Sequence, residues 1–204
     1  MRQASSRKVK TEKIVMLGAA SSGKTSIVTR FAHNRFSTTS ESTIGAAFVS
    51  KNIIVNDREV KLEIWDTGGS ERYRALAPMY YRDTNAAIIV FDLTSPPSLD
   101  DAQIWLNELR DRGPPKVLIA VAANKSDLKG QRQIQPDKIE EFTQKNNIDF
   151  IRETSAVDGS NINELFTEIS QKLLTIVDAD TMDDDDQNVI LDAPPPEQKT
   201  KGCC

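Results

Sequence analysis

Cysteine is almost absent. The 204-residue chain has two, and they are its last two residues, Cys203 and Cys204. A disulfide framework is thereby excluded, as is a tetrahedral Cys-rich zinc site. The single histidine, His33, falls in a helical stretch and reads as a surface residue. No apolar run approaches the roughly 20 residues that a bilayer-crossing helix needs. The basic start, Met1–Lys10, leads into a charged β-forming stretch and a Gly-rich loop rather than an apolar leader core, so a cytosolic protein is expected. Positive charge is not in excess either. The formal net charge is −4, partly local to Asp183–Asp186, which argues against nucleic acid as a partner.

What is present is globular composition, with 38% hydrophobic and 27% charged residues. The length suffices for one domain with a full core and a tail. Lys13–Leu17 reads as a short strand ending at Gly18, and Lys24 opens a helix to about His33. Ala47–Val55 and Val60–Trp65 read as strands joined by a hairpin turn at Asn56-Asp57. Ala86–Phe91 and Val117–Ala122 are near-continuous apolar runs, suited to strands covered on both faces of a parallel sheet. Leu99, Ala102, Leu106 and Leu109 fall at helical spacing after Ser98, a candidate N-cap. Ile162, Leu165, Phe166, Ile169 and Leu173 form a clearer stripe after Asn161, with Glu164 at the capping-box distance. This alternation predicts an α/β three-layer sandwich: a mostly parallel six-stranded sheet with one antiparallel edge hairpin, and a ligand at the carboxyl ends of the strands. No internal repeat is seen. Residues 1–10 read as an extension, 11–177 as the domain, and Asp178–Cys204 as a disordered tail with an acidic run and a proline triplet.

Gly18-Ala19-Ala20-Ser21-Ser22-Gly23-Lys24-Thr25 fits the pattern G-x-x-x-x-G-K-S/T, with Ser26 continuing into the helix. Glycines let the chain turn so tightly that successive N–H groups point at phosphate oxygens, and the following helix adds its positive end. Lys24 can reach the β and γ phosphates, and Thr25 can offer a hydroxyl to Mg²⁺. This motif specifies a nucleotide but not its base. Asn124-Lys125-Ser126-Asp127 follows a buried strand and supplies the choice. The Asp127 carboxylate can accept both N1–H and the exocyclic amine of guanine, a pair adenine does not present. The Lys125 stem can lie over the base, and Ser155 with Ala156 can present backbone N–H groups to the guanine oxygen. Asp66, in Trp65-Asp66-Thr67-Gly68-Gly69, can hold a Mg²⁺-bound water, and Gly69 leaves an N–H for the γ-phosphate. An ordinary turn is the alternative for that stretch. A P-loop kinase or ATPase is the alternative for the whole chain, disfavoured by the N-K-x-D run.

Together these motifs resemble the Ras-like small GTPases and, within them, the Rab family. Ser42-Thr43-Ile44-Gly45-Ala46-Ala47-Phe48, Glu71-Arg72-Tyr73 and Leu76–Arg82 are similar to the early-endosomal Rab subfamily. The resemblance implies a GTP/GDP switch in endocytic membrane traffic. In it Thr43 binds Mg²⁺ and senses the γ-phosphate, Phe36 flanks the guanine, and residues around 35–45 and 68–82 are the switches. It implies effector contact through Phe48, Trp65 and Tyr80, although Trp65 would serve ordinary core packing equally well. It implies an exchange factor, an activating protein, a GDP-dissociation inhibitor or prenylation escort, and double prenylation of Cys203 and Cys204. Those prenyl groups would anchor the chain to the cytoplasmic face of endosomal membranes, from which it cycles to the cytosol. As a coil the tail would average about 30 Å.

The departures from the family pattern carry the sharpest expectation. Relatives usually read Asp-Thr-Ala-Gly-Gln-Glu, whereas this chain reads Asp66-Thr67-Gly68-Gly69-Ser70-Glu71. Ser70 stands where a glutamine orients the attacking water, and serine is too short to reach it. Ala20 crowds a position often held by Gly or Ser, no arginine is supplied in cis, and Ala123 precedes Asn124 where Gly is usual. Intrinsic hydrolysis assisted by Ser70, Thr43, Lys24 and Gly69 is expected to be weak. A largely GTP-locked membrane adaptor is the alternative.

Overall fold

The computed structural model describes residues 9–39 and 41–185, excluding the side chains of Glu71 and of residues 177–185. Twelve elements carry the fold. They are β1 Lys10–Leu17, α1 Lys24–His33, β2 Ala46–Val55, β3 Arg58–Thr67, α2 Glu71–Arg74, α3 Ala77–Tyr81, β4 Ala86–Asp92, α4 Pro96–Arg112, β5 Leu118–Asn124, α5 Pro136–Lys145, β6 Phe150–Thr154 and α6 Ile162–Asp185. The strands form one six-stranded sheet in the order β2-β3-β1-β4-β5-β6. Only β2–β3 is antiparallel, as expected from the hairpin signal. Asn56 and Asp57 both take left-handed backbone, with φ of 50° and 58°. That is the two-residue turn whose twist matches the strands.

β4 and β5 are buried at every position. Their uninterrupted apolar runs follow from having helices on both faces. Alternate residues serve opposite layers. Ile14, Met16, Ile88 and Val90 join a core with α1 and α6, where Phe31 stacks on Phe166 at 3.8 Å between ring centroids. Val15, Leu17, Ile89 and Phe91 join a second core with α4 and α5. The five strands other than β2 end on one edge, and the loops following β1, β3, β4, β5 and β6 gather there. His33 is exposed at the end of α1.

Three details differ from the sequence reading. α4 begins at Pro96 with Ser95 at the N-cap position, so Ser98 lies within the first turn instead of capping it. Proline at the start of a helix costs nothing, because its missing N–H is one the helix would leave unpaired. The Ser98 hydroxyl is buried, accepts the Asp92 N–H at 2.8 Å and donates to backbone oxygens. Asn161 does precede α6, but its side-chain amide donates to the Glu153 carbonyl at 2.7 Å. Finally, α6 runs to Asp185, so residues 178–185 are helical. Extending a helix already nucleated by an apolar stripe costs little per residue. The remaining tail, with Cys203 and Cys204, lies outside the described residues, as do residues 1–8.

Candidate functional site

The gathered loops enclose a cavity of about 660 Å³. Its lining includes Ala20, Ser21, Gly23, Lys24, Thr25, Ser26, Phe36, Thr43, Gly69, Ser70, Asn124, Lys125, Asp127 and Ala156. Segments far apart in sequence, all singled out for a nucleotide, therefore share one space. Gly18, Ala19, Ser22, Asp66 and Ser155 are not in this lining but adjoin residues that are. Phe48, Trp65 and Tyr80 lie elsewhere.

The loop after β1 is built around Lys24. Its ammonium donates to the Gly18 and Ala19 carbonyls at 2.9 and 2.7 Å, straddling the loop from within. Burial drives its pKa down to about 8, against a smaller upward pull from Asp66. Gly23 takes φ of 97°, and a Cβ there would sit 2.1 Å from Asn124 Nδ2. Only glycine meets both conditions. That close approach lets the Asn124 amide donate to the Ser22 carbonyl at 2.9 Å, while Thr154 Oγ1 donates to Asn124 Oδ1 at 3.2 Å. Asn124 thus fastens the loop after β1 to the ends of β5 and β6 while also lining the cavity.

Hydroxyls and one carboxylate meet beside Lys24. Thr25 Oγ1 donates to Asp66 Oδ2 at 2.7 Å and lies 2.9 Å from Thr43 Oγ1. Thr43 Oγ1 itself lies 3.5 Å from the same carboxylate oxygen. Asp66 is 1% exposed, and its Oδ1 accepts no hydrogen bond. Burial raises its pKa, opposed by Thr25, Lys24 and Thr43. Lys24 and Asp66 are thus both pushed toward neutrality. A phosphate beside one and a divalent cation beside the other would restore both charges. Among the described residues no three His, Cys, Asp or Glu side chains come together. A cation here would use hydroxyls, one carboxylate and ligand oxygens, a donor set that fits Mg²⁺.

The loop after β3 lies against the phosphate loop. A Cβ on Gly69 would fall 2.5 Å from the backbone of Ala19 and Ala20, so this approach excludes any side chain. Gly68 N–H donates to the Gly45 carbonyl at 2.7 Å, tying this loop to the one that carries Thr43. Ser70 lines the cavity at the N-cap position of α2.

At the other end, Ser155 Oγ donates to Asp127 Oδ1 at 2.7 Å and receives the Val157 N–H at 3.2 Å. Ser155 is fully buried, so it sets the carboxylate from below. Lys125 has φ of 67°, which swings its side chain so that the ammonium pairs with Asp92 Oδ2 at 2.6 Å. Asp92 Oδ1 in turn accepts from the Thr94 N–H and hydroxyl. The sequence reading missed Asp92, although its place at the carboxyl end of β4 is where α/β sheets hold ligand-directed groups. Leu128 and Val157, apolar walls at this end, were also missed.

Phe48, Trp65 and Tyr80 touch one another on the outer face of the sheet, with ring centroids 5.5 Å apart for the first pair and 5.9 Å for the second. Trp65 does pack on the core, and it also belongs to this aromatic face. Its edge meets Phe48, which is 51% exposed. Ile44, Leu76 and Met79, 80%, 40% and 69% exposed, are further large apolar side chains between residues 44 and 79.

A family model described as "Ras family" matches residues 13–175. "Ras-related protein Rab-5A" of Dictyostelium discoideum is 47% identical over 161 residues, covering 79% of this chain and 80% of that protein. "Ras-related protein Rab5A" of Oryza sativa subsp. japonica is 42% identical over 199 residues, covering 97% and 96%. "GTP-binding protein ypt5" of Schizosaccharomyces pombe is 46% identical over 164 residues, covering 79% and 77%.

Proposed function

Because this chain belongs to the Ras family, with Rab5 proteins among its relatives, we propose that it is a GTP/GDP switch of endocytic membrane traffic. The observation that carries this reading is the single cavity joining Lys24, Thr25 and Thr43 to Asp127 and Ala156. Lys24 and the loop N–H groups hold the β and γ phosphates. Thr25, Thr43 and Asp66 would hold Mg²⁺, which neutralises phosphate charge when bound. Asp127 accepts the guanine N1–H and amine, the Ala156 N–H meets the guanine oxygen, and Phe36 with the Lys125 stem flanks the base. The GTPase domain spans 11–177, with α6 continuing to Asp185, and the tail beyond serves as a spacer. Its acidic run would oppose binding to anionic lipid, which leaves anchorage to prenyl groups on Cys203 and Cys204.

In this reading GTP orders the loops carrying Thr43 and Gly69, and effectors read the Phe48–Trp65–Tyr80 face they border. Exchange factors, activating proteins and a prenylation escort act on that cycle at endosomal membranes. Turnover without help is slow, because Ser70 at the cavity wall lacks the reach of a glutamine toward an attacking water. Single-turnover GTP hydrolysis tests this point. Ser70→Gln is expected to be faster than the parent by about tenfold or more. If the two rates match, the side chain at 70 is not what limits hydrolysis. A GTP-locked adaptor is the second reading, also supported by Ser70, and it requires that GTP rather than GDP copurify with the protein.

A further inference from the structure

The guanidinium of Arg30 makes more directed contacts than any other cation near the cavity, yet it touches neither phosphate loop nor cation site. It projects from the last turn of α1 to the loop after β6. Its Nε donates to the Ala156 carbonyl at 2.8 Å, and its Nη2 donates to the Val157 carbonyl at 2.6 Å. Its Nη1 lies 3.1 and 3.2 Å from the carbonyl and side-chain oxygens of Asn34. Asn34 is the left-handed C-cap of α1, and its N–H returns to the Arg30 carbonyl. One planar fork thus grips the two carbonyls of the base loop and the residue from which the chain departs toward Phe36.

We propose that Arg30 is a positioning residue for guanine recognition. It fixes the peptide plane that follows Ala156, while the Gly159 N–H, donating to the Ser155 carbonyl at 2.9 Å, fixes the preceding plane that carries the Ala156 N–H, and the two together set the backbone from which that N–H reads the guanine oxygen. A peptide unit is planar, so gripping a carbonyl also orients the N–H of the next residue. Ser155 Oγ receives that same Val157 N–H, and the plane is pinned from two sides. Ser155 also donates to Asp127, so Arg30 braces the whole base-reading pair from outside the cavity. Lysine does not replace it, because one ammonium lacks the planar set of donors that holds Ala156, Val157 and Asn34 at once.

The inference rests on the proposed contact between the Ala156 N–H and guanine. 6-Thioguanosine diphosphate is the probe, because it keeps N1–H and the amine that Asp127 reads and changes only the oxygen. Dissociation of GDP and of this analogue is measured from full-length parent, Arg30→Met and Arg30→Lys proteins. The parent is expected to hold GDP more tightly than the analogue. Arg30→Met should release GDP about tenfold faster while the analogue changes by less than about threefold, with Arg30→Lys close to Met. If both ligands are released faster by the same factor, Arg30 is merely structural and the proposal fails. If the parent does not discriminate between them, the Ala156 contact itself is wrong and the proposal falls with it. Should Arg30→Met not fold, Arg30→Lys carries the same comparison.

Discussion

Replacing Lys24 with alanine is expected to weaken guanine-nucleotide binding by on the order of a thousandfold, the scale of losing one side of a buried charge pair. The ammonium sits within the loop proposed to hold the phosphates, shielded from water and held by two backbone carbonyls. Desolvation makes its charge costly without an anion, so a phosphate placed beside it would be held strongly. The same geometry predicts a pH dependence whose sign can be worked out. In the nucleotide-free fold its pKa is about 8, against 10.5 for an ordinary lysine. Between those values the unfolded chain binds more protons than the fold, so the fold gains stability as pH rises. Phosphate favours the ammonium, so above about pH 8 binding must take up a proton and affinity falls, by up to about tenfold per unit. Titrations of fluorescent GDP across this range check both statements. A flat profile in the parent, or strong binding by Lys24→Ala, would remove Lys24 from the phosphate site.

Asp127→Asn is expected to change which base the cavity accepts. A carboxylate offers guanine two acceptors for two adjacent N–H groups, whereas an amide offers one acceptor and one donor. Xanthine keeps the N1–H and carries an oxygen in place of the amine, so it matches the amide. GTP affinity should fall by about a thousandfold or more, and xanthosine triphosphate should become the preferred ligand. Ser155 makes the test clean, because its hydroxyl can still donate to the amide oxygen and hold the side chain in place. Competition between the two triphosphates reads the outcome. An unaltered preference for GTP would place the base elsewhere.

The features that proved legible in the sequence are those written within one short segment. The phosphate loop declares itself through two glycines and a lysine, and the β2–β3 hairpin through Asn56-Asp57. The buried strands β4 and β5 declare themselves through unbroken apolar runs. Pairings between distant segments were not legible. Nothing near Lys125 says that its ammonium will reach Asp92, and nothing near Arg30 says that it will grip Ala156 and Val157. The capping expectation for Ser98 failed for a related reason. A serine before an apolar stripe looks the same whether it caps from outside or bonds backward from inside, and Pro96 decided the matter. The end of α6 was missed because an acidic run has no apolar period, although a helix already under way can pass through it. Asn124 shows the opposite limit, since its motif was recognised while its contact, the Ser22 carbonyl, was not.

Whether this switch resets only with help is the central question about the protein. GTP turnover measured with and without a Rab-type activating domain tests it most directly, because such a domain can supply in trans the water-orienting and arginine groups that we propose this chain lacks. The expected result is slow hydrolysis alone and a large acceleration when the domain is added. Rapid unaided hydrolysis, or none under either condition, would contradict it.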